Sequence, residues 1–174
     1  MYPGSFNPPT VAHLAIARAA IEQCGLDRVD LVLSRGALGK ADHDLVGIED
    51  REGVLGAIAS SRPWLGVRVT DDRLIGDIAA GYDVVILGAD KWVQINELQW
   101  YGGSAAERDA ALARLPQVAA APRPPFELPA HVVLLAVDDE HHDVSATAAR
   151  AGRREWMAPE AIAFDDRTGA WSRR

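Results

Sequence analysis

The sequence predicts an α/β domain whose parallel sheet is covered by helices on both faces. Short β-branched apolar runs recur along the chain, helical stretches separate them, and no linker divides the 174 residues. Strands alternating with helices form βαβ units, which require a parallel sheet with two covered faces. At about 150 residues per domain, the length predicts one domain spanning 1–174, with a C-terminal helical part from about residue 145 packed on it.

Taken in order, the elements begin with a problem. Met1-Tyr2-Pro3 is too short for a strand of ~5–6 residues, and Pro3 has no amide to give a ladder. Either the first strand is unusually short or the natural start lies upstream. Val11 to Cys24 places Leu14, Ala17, Ile21 and Cys24 on one face at helical spacing. Residues 29–33 and 83–87 are short β-branched apolar runs of the kind buried parallel strands show. Residues 67–69 and 132–135 look similar, and 117–120 is a weaker candidate. Helices are predicted over 48–60, 72–80, 91–98 and 105–115. Pro122-Arg123-Pro124-Pro125 and Leu128-Pro129 mark an irregular loop.

Composition narrows the function. Acidic residues outnumber basic ones 25 to 18, giving a net charge of −7, with 48% hydrophobic and 25% charged residues. That balance excludes disorder and a protein that coats nucleic acid. No apolar run approaches the ~18 residues needed to span a bilayer, and no signal peptide opens the chain, so the expected compartment is the cytoplasm. The single cysteine, Cys24, excludes a disulfide framework and a cysteine-rich zinc site. At the end of an apolar helix face it reads as a small core residue. Lysine occurs only at Lys40 and Lys91, so 16 of the 18 basic residues are arginine, and a retained lysine points weakly to a need for a compact ammonium.

The first chemical motif is Gly4-Ser5-Phe6-Asn7-Pro8-Pro9-Thr10-Val11-Ala12-His13-Leu14. Gly4 lets the backbone approach a ligand, and the amides of Ser5 and Phe6 can donate to phosphate. Thr10 and His13 stand three apart where a helix opens, so a hydroxyl and an imidazole share one face near its positive end. Position 13 lies off the apolar stripe, which predicts little stability cost on its replacement. The second motif is Val144-Ser145-Ala146-Thr147-Ala148-Ala149-Arg150, a helix start rich in hydroxyls with an arginine one turn in. Asp138-Asp139-Glu140-His141-His142-Asp143 could be taken for a metal cluster. Adjacent histidines rarely share a coordination geometry, so it reads as a solvated acidic loop, and no protein metal site is assigned. Trp64 and Trp171 carry no motif and read as packing or tail contacts.

These two motifs, at opposite ends of a chain of the right size, resemble those of the HIGH-motif nucleotidyltransferase superfamily. Its members join a nucleoside triphosphate to a phosphorylated acceptor and release pyrophosphate on a Rossmann-like, doubly wound sheet. The resemblance implies that Gly4, Ser5, Phe6 and His13 meet ATP, and that Ser145, Thr147 and Arg150 hold its β- and γ-phosphates. Gly88-Ala89-Asp90 resembles the family's Gly-x-Asp, implying ATP contact from Gly88 and Asp90 at a strand's carboxyl end. Within the superfamily the sequence is most similar to the nicotinate/nicotinamide mononucleotide adenylyltransferases of NAD biosynthesis. That likeness implies acceptor contacts from Asn7, Lys40, Arg51, Trp100 and Arg123, with Trp100 stacked on the pyridine. His13, Thr10, Lys40 and Arg150 carry the implied catalytic roles, and Mg2+ is implied as a bridge between the ATP phosphates.

The pattern departs from that branch in places. The lysine loop 34–40 lacks the usual Pro-His, and Asp50 stands where His is usual. Tyr2-Pro3-Gly4-Ser5-Phe6 is equally close to the phosphopantetheine adenylyltransferase opening. The same transfer to phosphopantetheine or to a cytidylyl-transfer substrate therefore stays open, as does a nucleotide-binding protein of weakened catalysis. The expected partners are ATP and a phosphorylated small acceptor, with no nucleic acid and no membrane. Homo-oligomerisation is left open.

Overall fold

The computed structural model describes residues 1–36 and 46–172. In order these form β1 (Tyr2–Pro3), α1 (Val11–Cys24), β2 (Val29–Ser34), α2 (Ile48–Ser60), β3 (Leu65–Thr70), α3 (Ile75–Ile78) and β4 (Val84–Gly88). Then come α4 (Ala89–Ile95), α5 (Ala105–Leu112), β5 (Gln117–Ala121), β6 (Val133–Leu134), α6 (Ala146–Arg150) and α7 (Pro159–Thr168). A single 3-10 turn, Leu98–Tyr101, follows α4. Among the described residues no helix is long and apolar enough to cross a membrane.

Strands β1, β2 and β3 form one parallel ladder, and β4, β5 and β6 another. Met1 joins them. Its ammonium donates to the Val84 carbonyl at 2.6 Å, and its own carbonyl accepts from the Ile86 amide at 2.9 Å. Bonds from one residue to both neighbours of Val85 are the signature of a parallel pair. The whole sheet therefore runs β3-β2-β1-β4-β5-β6, with its switch point between β1 and β4, the order of a doubly wound Rossmann-like sheet. In the chain from Met1 the first strand is two residues long.

The period of two along the strands separates the core into two layers. Leu31, Leu33 and Ile86 face the layer that holds Ala17 and Ala20 of α1, Leu55 and Ile58 of α2, and Trp171. Val32, Val85 and Leu87 face the other, with Ile78 of α3 and Ile95 of α4. Each fully buried leucine or isoleucine contributes about 1.5–3 kcal/mol of transfer free energy. On the first layer α7 docks beside α2, where Arg62 reaches Glu160 at 2.7 Å.

Element bounds differ from expectation where local chemistry intervenes. The 72–80 helix contracts to Ile75–Ile78, because the Asp72 carbonyl accepts from the Ser34 hydroxyl and its carboxylate from the Thr70 hydroxyl. Those bonds hold residues 70–72 as an extended turn. The 91–98 helix starts earlier, directly from the end of β4, and stops at Ile95.

Candidate active site

A cleft of about 360 Å³ opens at the switch point, over the carboxyl ends of β1 and β4. In open α/β sheets this is where ligands bind. One wall is the loop after β1. Phe6 has φ 43° and its ring folds back under Gly4, so that a Cβ on Gly4 would lie 2.9 Å from it. The Phe6 ring alone is enough to require glycine there. The ring is buried and meets Tyr2 and His13 edge-on, with centroids 5.7 and 5.0 Å away, so a Phe6 contact with ATP falls to its backbone.

Thr10 caps α1, and His13 stands at the third helical position in a reciprocal capping box. The His13 Nδ1 accepts the Thr10 amide at 2.9 Å and lies 2.7 Å from the Thr10 hydroxyl. A ring nitrogen that accepts an amide hydrogen carries none, so the neutral ring has its hydrogen on Nε2. The capping box thereby sets the tautomer of a histidine that lines the cleft.

The far walls come from distant sequence. Gly88 and Asp90, from the junction of β4 and α4, line the cleft, as do Trp100, Arg123, Ser145 and Thr147. A Cβ on Gly88 would sit 2.5 Å from an Asp90 carboxylate oxygen, so only glycine lets that carboxylate fold back, and it faces Arg123 at 4.0 Å. Ser145 caps α6, accepting from the Ala148 amide at 3.1 Å. Tyr2 forms part of the floor, and burial, reinforced by Asp90, pushes its phenol above the usual range.

Three implied contact residues stand behind this surface. The buried Asn7 carboxamide oxygen accepts from the Val46 amide at 3.2 Å and from the Trp171 indole at 2.8 Å. Buried Arg51 donates to the Val46 carbonyl at 2.7 Å and to the Ser5 carbonyl at 2.7 Å. Arg150 donates to the Asn7 carbonyl and points a second nitrogen at the Thr147 hydroxyl, 3.5 Å away. All three therefore brace the loop after β1. Lys40 lies outside the described residues. The sequence reading did not place Lys91, Gln94, His141 or His142 in the cleft, yet all four line it. The scarcity of lysine was the one signal for Lys91; the histidines were set aside with the acidic loop. Among the described residues no group of carboxylate, histidine or cysteine side chains could hold a metal ion.

Residues 1–152 match the cytidylyltransferase-like family. The chain belongs to that family. It is thus a nucleotidyltransferase by family. No curated protein matches the chain. Among solved structures it is similar to the Plasmodium falciparum nicotinic acid mononucleotide adenylyltransferase complexed with NaAD. The two superpose with a TM-score of 0.67 over 95% of this chain and 93% of that one, at 14% identity, which shows a shared fold.

Proposed function

We propose that the protein joins the adenylyl group of ATP to a nicotinate or nicotinamide mononucleotide and releases pyrophosphate, in the cytoplasm. The carrying observation is that Thr10 and His13 from one end of the chain share one cleft with Ser145 and Thr147 from the other. The whole chain, 1–174, acts as one catalytic domain, and the helices after residue 145 close the side that holds the triphosphate.

In this reading an acceptor phosphate oxygen attacks the α-phosphorus of ATP in line. The bond from that phosphorus to the bridging oxygen breaks, and pyrophosphate leaves with the electron pair. The acceptor phosphate is already ionised near neutral pH, so no general base is required. Catalysis then rests on positioning and on neutralising charge. The Nε2–H of His13 donates to the transferring phosphoryl group, and Thr10 and the Gly4–Phe6 backbone hold neighbouring oxygens. Ser145 and Thr147 receive the β- and γ-phosphates, with Arg150 next to them. Lys40 retains its implied role at the phosphates. Asp90 accepts ribose hydroxyls, Arg123 stands beside it, and Trp100 offers a face to the acceptor base. Asn7 and Arg51 act indirectly by bracing the loop. The cleft supplies hydroxyls, amides and cations rather than a carboxylate cage, so Mg2+ fits as an ion carried on the ATP phosphates.

Pyrophosphate release with ATP or CTP, measured against a panel of phosphorylated acceptors, tests the reading. ATP with a pyridine mononucleotide is the expected productive pair. Turnover of phosphopantetheine or a cytidylyl acceptor with both pyridine mononucleotides inert overturns it, and so does ATP binding without turnover on any acceptor.

A further inference from the structure

Lys91 places a half-buried ammonium in the cleft, and no carboxylate among the described residues pairs with it. Its one hydrogen bond goes to the Gln94 carboxamide oxygen at 2.5 Å. The adjacent carboxylate, Asp90, faces Arg123 instead. Burial lowers the ammonium's pKa below the usual lysine range, with Asp90 and Glu97 opposing the shift from a distance. Holding a desolvated cation without a counter-charge costs free energy, and that cost is recovered when a ligand brings an anion. The surroundings argue against a phosphate there. Ile75, Ile78 and Ile95 belong to one apolar cluster, and with Trp100 they line the same cleft as Lys91 and Gln94. The hydroxyls and the His13 imidazole that suit phosphate come from α1 and α6 instead.

The chemistry of the pair is specific. An ammonium only donates, so Gln94 must turn its oxygen to Lys91 and keep its NH2 as a donor. Two donor heads, one charged, then stand side by side. A carboxylate offers two acceptor oxygens to them, whereas a carboxamide offers one oxygen and an NH2 that meets a donor. Building on the acceptor class proposed above, we infer that Lys91 and Gln94 read a carboxylate on the acceptor's ring, so that the enzyme selects the acid mononucleotide over its amide.

The test is kcat/KM for nicotinate and nicotinamide mononucleotides at saturating ATP, in the wild-type protein and in Lys91→Met. Wild type is expected to favour the acid by about tenfold or more, since rejecting a ligand that leaves a buried donor unpaired is worth at least that. Lys91→Met should erase most of that ratio while the melting temperature holds. Gln94→Leu provides a second variant should Lys91→Met fail to fold, and should lower the same ratio. Equal use of both mononucleotides by the wild type, or a preference for the amide, overturns the inference alone. A Lys91→Met variant that loses both substrates in equal proportion also overturns it, placing the ammonium on a group the two share, such as the phosphate. If both mononucleotides are inert while another acceptor turns over, the underlying acceptor reading fails and the inference fails with it.

Discussion

In the proposed reaction His13 has two jobs for its two nitrogens, and they can be separated by substitution. Its Nδ1 closes the capping box with Thr10, so His13→Ala keeps the Thr10 side-chain cap but takes the acceptor from the Thr10 amide. The sequence-level expectation of little stability cost therefore changes: loss of one such hydrogen bond costs about 0.5–1.5 kcal/mol. Turnover should fall by about 10²-fold or more, the scale of one preorganised donor, with a much smaller change in KM for ATP. Glutamine is the residue capping boxes use at this position. His13→Gln should restore the melting temperature lost in His13→Ala while leaving turnover low. Near-normal turnover in either variant removes His13 from the chemistry. Arg150→Ala should behave differently. It loosens the Asn7 carbonyl and the Thr147 side, where the proposed reaction holds the triphosphate before transfer, so KM for ATP should rise more than kcat falls.

At the scale of elements, the 3-10 turn Leu98–Tyr101 brings Trp100 to the cleft, and Tyr101 fastens that turn by donating to the Ile95 carbonyl at 2.7 Å. Trp100→Ala should weaken acceptor binding by about 1–3 kcal/mol, the scale of base–aromatic stacking, and leave ATP affinity nearly intact. A matching loss for both ligands together with a lower melting temperature would make Trp100 a packing residue only. The elements were legible in the sequence where local signals sufficed. Helices α1 and α2 have the expected bounds, because their signals are local: Thr10 and Gly25 cap the two ends of α1, and apolar residues at helical spacing run through α2. Helix α3 shrank because side chains at Ser34 and Thr70, on two other strands, claimed Asp72. The site divided in the same way. Thr10, His13, Ser145 and Thr147 were legible because their motifs are contiguous. The bracing by Asn7 and Arg51 was not, because Asn7 is held by residues 39 and 164 positions away and Arg51 reaches the Ser5 carbonyl 46 positions back. Trp171→Phe tests that hidden layer. It keeps an aromatic ring in the core but removes the donor to Asn7, so the loop after β1 should lose its register. Activity should drop several-fold, with a smaller change in melting temperature than Trp171→Ala produces.

Across the molecule, the two ladders meet along Met1 and the two-residue β1, and the Met1 ammonium lies in that seam. Burial lowers the Met1 amino pKa from 8.0 to about 6, with Asp30 and Asp83 opposing the shift. The unfolded chain binds this proton near pH 8, whereas the folded chain binds it only near pH 6. Below pH 6 both states are protonated, and the fold carries the full cost of a buried charge. Between 6 and 8 the unfolded state holds more protons, so stability rises with pH, and above 8 the gain is complete. Because the group is partly solvated, the gain is of the order of 1–2 kcal/mol rather than the full equivalent of the shift. Urea denaturation from pH 5.5 to 8.5 should show this rise. The same chain with residues added before Met1 gives the control: a peptide N–H still donates to the Val84 carbonyl but has no charge to lose. Its stability should be flatter over the same window. Equal slopes in the two chains would place the pH dependence elsewhere and free the β1–β4 seam of any electrostatic cost.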